Sequence, residues 1–116
     1  MRLLLDTHLL LWAVSSSDRL PPEARTLIED PRNDVLYSAA SIWEIAIKST
    51  LRRSDFRVDL SRLHSTLSTM GLSELPVRAE HAIGVMQLPA IHRDPFDRLL
   101  VAQSIVEPLV DRKSVV

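Results

Sequence analysis

The chain has 116 residues, with 14 Lys+Arg against 15 Asp+Glu for a net charge of −1, 46% hydrophobic residues and no cysteine. That length suits one compact domain spanning 1–116, and the apolar content excludes a disordered chain. The absence of cysteine excludes disulfides, thiol catalysis and Cys-based zinc sites, and with no Lys/Arg run longer than two residues a polybasic nucleic-acid arm is excluded too. The most apolar stretch, from Leu3 to Val14, is broken by Asp6, Thr7 and His8. It therefore reads neither as a membrane span nor as a secretion signal.

Arg2–Leu5 is a short continuous apolar run, as expected of a strand buried on both faces. A helix follows from Thr7 or His8 to Val14, and a second starts at Pro21-Pro22 and runs to Glu29. After the turn at Asp30–Asp34, Val35–Tyr37 reads as a second strand. Ser38 or Ser41 caps the next helix, which runs to about Arg52, and Ser41 with Glu44 has capping-box spacing. Asp59 caps a helix whose Leu60, Leu63, Leu67 and Met70 share one face, and Gly71 stands where a helix C-terminal glycine belongs. Leu72–Val77 is a third strand, weakened by Pro76. Ala79, Ala82, Ile83 and Met86 then form an apolar helical face, and Leu88–Arg93 is a connector. Asp94 caps a last helix with Pro95 at its first position, ending near Val106. This alternation predicts an α/β fold, a mainly parallel sheet covered by helices. Ligands of such sheets bind beyond the carboxyl ends of the strands, which is where Asp6 falls.

Asp6, Glu44, Asp94 and Asp97 each sit beside apolar residues instead of in a solvated charge run. Each also has a purely structural explanation. Asp6 and Asp94 can cap helices, Glu44 can pair with Ser41 or with Lys48, and Asp97 can answer the helix dipole. If acids on separate elements converge, each pair at 4–5 Å costs roughly 3–4 kcal/mol at an effective dielectric near 20. Protons or a hard divalent cation must then compensate. The four histidines, His8, His64, His81 and His92, lack zinc-type spacing, and His64 and His81 read as surface helix residues. With only Gly71 and Gly84, the chain has no phosphate-binding glycine loop. The five aromatic side chains are too scattered for a base-stacking platform and read mostly as core.

Three segments, Met1-Arg-Leu-Leu-Leu-Asp-Thr-His8, Ser38-Ala-Ala-Ser-Ile-Trp-Glu-Ile-Ala-Ile-Lys48 and His92-Arg-Asp-Pro-Phe-Asp-Arg-Leu-Leu-Val-Ala-Gln103, resemble PIN-domain proteins. More narrowly, they are similar to VapC-type toxins of bacterial type II toxin–antitoxin pairs. The similarity runs from Met1 to about Leu109. It implies a PIN-like three-layer α/β/α fold and a cytoplasmic endoribonuclease dependent on Mg²⁺ or Mn²⁺. By the resemblance, Asp6, Glu44 and Asp97 hold the metal, and Asp94 joins the acidic cluster. Metal-activated water then attacks an RNA phosphodiester in line, leaving 5′-phosphate and 3′-hydroxyl. Thr7 matches the small hydroxyl residue after the first acid and is expected, with Arg93 and Arg98, to contact the substrate; the two arginines are expected phosphate contacts, with surface ion pairing as their alternative. The resemblance also implies a VapB-like antitoxin partner that inserts a basic side chain among the acids, and a homodimer.

The end of the sequence departs from this pattern. Where family members continue with an apolar strand, a Thr-x-Asp element bearing a fourth acid, and a final strand, this chain reads Val110-Asp111-Arg112-Lys113-Ser114-Val115-Val116. Asp111 arrives too early to match the fourth acid. The expectation is a truncated or frameshifted tail, a missing final strand or strands, an open sheet edge beside the first strand, and weakened metal binding. An alternative function follows: an impaired PIN-domain remnant that only binds antitoxin or dimerises. A purely structural α/β domain is the third reading.

Overall fold

The computed structural model describes residues 1–15, 17–51, 58–89 and 94–107. In chain order its elements are β1 (Arg2–Leu5), α1 (Thr7–Ser15), α2 (Pro22–Glu29), β2 (Asp34–Ser38), α3 (Ala39–Thr50), α4 (Leu60–Thr69), β3 (Ser73–Leu75), α5 (Ala79–Gly84), a 3₁₀ turn (Val85–Gln87) and α6 (Pro95–Val106). The three strands form one parallel sheet in the order β1-β2-β3. Leu3 pairs with Val35, Leu4 with Leu36 and Leu5 with Tyr37, and Ser38 pairs with Leu75.

The strands are apolar at successive positions because both faces of the sheet are covered. Leu3, Leu5, Val35 and Tyr37 face a large core completed by Leu9 and Leu10 of α1, Ala24 of α2, Ile45 of α3, and Leu63 and Leu67 of α4. Leu4, Leu36 and Leu75 alternate to the opposite face and pack with Leu100 of α6. Adjacent residues of one strand thus serve two helical layers, as the three-layer α/β/α expectation requires. Burying each such leucine contributes about 1.5–3 kcal/mol before chain entropy is counted.

The helix starts follow local chemistry. Ser38 caps α3, its Oγ accepting from Ala40 N at 3.0 Å, while Ser41 lies inside the helix and forms no capping box with Glu44. Asp59 caps α4 by accepting from Arg62 N at 3.2 Å. Gly71, just beyond α4, has φ of +83°, a conformation that glycine takes without a Cβ penalty. Pro76 supplies no N–H for a ladder, and β3 stops at Leu75.

Three expectations about burial fail. Of the apolar face expected at Ala79, Ala82, Ile83 and Met86, Ile83 is 62% and Met86 84% exposed, and α5 gives its buried position to His81 instead. A polar side chain with its hydrogen bonds satisfied has taken the inward place. Met70 lies beyond α4, and both it and Trp43 of α3 are exposed. The expected connector is described only as far as Pro89, and the tail from 108 onward, where the final strand or strands are expected to be missing and where Asp111 falls, lies outside the described residues. Among the described residues, β1 pairs on one side only.

Ile45 is fully buried and Ile83 largely exposed. Ile45→Ala is expected to cost about 2–5 kcal/mol in urea unfolding. Ile83→Ala is expected to stay within about 0.5 kcal/mol. Equal losses at the two positions would contradict this assignment of the core.

Candidate functional site

Asp6 follows the last residue of β1, at the carboxyl edge of the sheet. Its Oδ1 accepts from Leu9 N at 2.8 Å, so one carboxylate oxygen starts α1. Thr7, next along, is buried and points its hydroxyl at α3. Thr7 Oγ1 donates to Glu44 Oε1 at 2.7 Å and lies 3.0 Å from Ser41 Oγ. A hydroxyl has one proton, so with that proton on Glu44 it is Ser41 that donates to Thr7. The resemblance made Thr7 a substrate contact; the structure uses its hydroxyl to hold Glu44.

Glu44 is 3% exposed, which no lone carboxylate tolerates. Its second oxygen, Oε2, accepts from Lys48 Nζ at 2.7 Å, one helical turn on. The i,i+4 pair anticipated as a structural alternative therefore exists, and it completes the acid's hydrogen bonding.

Trp43, preceding Glu44, meets Phe96, preceding Asp97, edge to face with ring centroids 5.3 Å apart. This contact joins α3 to the start of α6. Asp94 caps α6, accepting from Phe96 N at 2.8 Å and more distantly from Asp97 N at 3.4 Å. Asp97 occupies the third helical position, as expected.

Three of the acids bear electrostatically on the fourth. The Asp97 carboxyl is raised above the usual range, first by partial desolvation, then by the negative charges of Asp94, Glu44 and Asp6, while His8 pulls the other way. A helix N-terminus by itself favours an ionised acid. At Asp97, whose side chain is still exposed, that preference is outweighed by partial desolvation and neighbouring carboxylates. Asp6 at the β1–α1 junction, Glu44 on α3 and Asp94 at the start of α6 thus all raise the Asp97 carboxyl.

Arg98 donates Nη1 to Pro89 O at 3.2 Å and Nη2 to Val85 O at 3.0 Å, so it ties the 3₁₀ turn and its sequel to α6. Arg93 and His92 lie outside the described residues.

Sequence reasoning missed a second polar group. Glu80, His81 and Glu107 have donor atoms within 4.8 Å of one another, which Asp6, Glu44 and Asp97 do not. Its centre, His81, is fully buried, against the expectation of a surface residue. His81 Nδ1 accepts from Arg78 N at 2.9 Å, so Nε2 carries the proton and donates to Glu107 Oε2 at 3.2 Å. A metal at Nε2 would need the opposite tautomer, with Nδ1–H donating outward. This group is therefore a buried histidine–carboxylate hydrogen bond at the far end of α6. The hard carboxylate set around Asp97 is the better match to Mg²⁺ or Mn²⁺.

A family model described as PIN domain matches residues 3–109. Among solved structures, the chain is similar to one in the crystal structure of VapBC2 from Rickettsia felis bound to a DNA fragment from their promoter. The TM-score is 0.61 at 15% identity, over 90% of this chain and 81% of that one. No curated protein sequence matches at a significant level. No helix among the described residues is long and apolar enough to cross a membrane.

The raised Asp97 carboxyl makes a prediction with a definite sign. The folded state holds this proton more tightly than the unfolded state does. Its stabilising contribution is present at low pH and lost as pH rises through the folded-state value. Asp97→Asn is therefore expected to raise the thermal midpoint at pH 7, by an amount that shrinks as pH falls toward 3.8, the ordinary aspartate value. A midpoint lowered at pH 7 would contradict the repulsion inferred here.

Proposed function

Because the chain belongs to the PIN-domain family, we propose that it is a divalent-metal-dependent endoribonuclease, the toxin of a toxin–antitoxin pair. The observation that carries this reading is the joint action of Asp6, Glu44 and Asp94 on the Asp97 carboxyl at the carboxyl edge of a parallel sheet. The toxin–antitoxin context is supported by the motif resemblance and by the fold shared with a chain of the VapBC2 structure.

The donor set fits Mg²⁺ or Mn²⁺, and a cation there would offset the repulsion that holds the Asp97 proton. Asp6, Asp97 and Glu44 would hold the ion. When bound, such an ion polarises a phosphoryl oxygen and lowers the pKa of a coordinated water. The chain's own residues prepare the place. Thr7 and Lys48 fix the two oxygens of Glu44. Asp94 holds the first turn of α6 and with it the Asp97 backbone. The Asp6 backbone is fixed by the strand before it, and one of its oxygens by the helix it caps.

The same acids suit a VapB-like antitoxin, since an arginine can answer two carboxylates at once. A homodimer belongs to the same reading. A second reading, a remnant that binds antitoxin without cleaving RNA, is favoured by one observation: both Glu44 oxygens are already engaged by Thr7 and Lys48.

RNA incubated with the purified protein is expected to be cleaved in Mg²⁺ or Mn²⁺ and left intact in EDTA. Asp6→Asn and Asp97→Asn are each expected to lower the rate by more than about 100-fold, since even supporting residues of metal sites are worth about 10–100-fold. Undiminished cleavage by either variant would overturn the mechanism. No cleavage, with antitoxin binding retained, would select the second reading.

A further inference from the structure

Gln103 is a fully buried amide on an otherwise largely apolar helix. Its Oε1 accepts from Ser38 Oγ at 2.6 Å, and its Nε2 donates to Pro76 O at 3.2 Å and lies 3.5 Å from His81 Nδ1. Flipping the amide would set its oxygen against the Pro76 carbonyl, so its partners fix its orientation. One side chain of α6 therefore reaches the end of β2, the residue after β3, and α5. Ser38 is bound twice over. The Oγ that donates to Gln103 also accepts from Ala40 N at 3.0 Å and so starts α3.

This bond and the Trp43–Phe96 ring contact together set a direction. The start of α3 meets the later part of α6, and the middle of α3 meets the start of α6. The helices run antiparallel, with Glu44 following one contact residue and Asp97 the other. Sliding α6 by one turn, about 5.4 Å, would take Asp97 away from Glu44. The ring pair cannot prevent this alone, because Trp43 is 59% exposed and apolar contact is non-directional. The short hydrogen bond at the buried end is directional.

We infer that Gln103 is a positioning residue: by bonding Ser38 at the start of α3, it sets the register of α6 against α3 and holds Asp97 opposite Glu44. The inference rests on the reading of these acids as a divalent-ion site, and its effect on that site passes only through helix position.

Gln103→Met keeps length, approximate volume and helix propensity while removing both hydrogen-bonding ends. Because the chain has no cysteine, Thr50→Cys on α3 and Ile105→Cys on α6, both exposed positions, can carry a pair of spin labels. Their distance distribution is measured with and without Gln103→Met, and Mn²⁺ affinity is measured by electron paramagnetic resonance on the unlabelled proteins. The expected result is a narrow distribution that shifts or broadens in Gln103→Met, with a Mn²⁺ dissociation constant raised about 10–100-fold. Ser38→Ala is expected to do the same and serves if Gln103→Met does not fold. Ser38→Thr, which keeps the hydroxyl, is expected to restore both readouts. An unchanged distribution would overturn the inference, as would a changed one with unaltered Mn²⁺ affinity. If the unmutated chain binds no Mn²⁺, the metal reading fails, and the distance distribution still decides whether Gln103 sets the register.

Discussion

A buried carboxylate needs a donor at each oxygen, and Glu44 finds Thr7 on one side and Lys48 on the other, both at 2.7 Å. The Thr7 bond spans 37 positions of sequence and ties the first strand–helix junction to α3. Removing such a donor leaves a buried acceptor unsatisfied, at a cost of about 1–3 kcal/mol. Asp6 precedes Thr7 directly, so the bond that satisfies Glu44 also sets where the first acid stands. Both leucine-rich cores then fix the elements that this bond joins.

The acids are assembled against their own electrostatics. Two of them offset part of the cost by capping helices, Asp6 at α1 and Asp94 at α6. Glu44 does so through the Lys48 ammonium. Asp97 is left with the residue of the repulsion, visible as a carboxyl raised by its surroundings. A protein optimised only for stability would place an amide there. A divalent cation gives the same arrangement a purpose, because it converts mutual repulsion into shared coordination. The Glu80, His81 and Glu107 group is more compact, yet its histidine tautomer is already committed to a backbone N–H. Proximity of ligand-type side chains and readiness to bind a metal are separate properties.

The strands, the capped helices and the candidate acids were readable because their signals are local. Arg2–Leu5 is apolar at every position after Arg2, Asp94-Pro95 is a cap and a first-turn residue side by side, and Asp59 precedes a periodic leucine face. The misjudged residues share a different property: their environment is made by distant parts of the chain. His81 is buried because Arg78 N and Glu107 satisfy both ring nitrogens. Ile83 and Met86 have the right spacing for a core face, yet α5 turns His81 inward, and periodicity alone does not say which face is covered. Gln103 meets Ser38 across 65 positions, and nothing local marks either as a partner. Thr7 was legible as part of a motif, while its use as a donor to Glu44 needed α1 and α3 in place.

The central claim is that Asp6, Glu44 and Asp97 share one cation-binding place at the carboxyl edge of the sheet. Paramagnetic broadening of backbone amide resonances by substoichiometric Mn²⁺ tests it most directly, since the effect falls off steeply with distance from the ion. The account predicts that signals at the end of β1, the middle of α3 and the first turn of α6 broaden together, and that Mg²⁺ competes the effect away. Broadening centred instead on Glu80, His81 and Glu107, or spread evenly over the exposed acids, would contradict it.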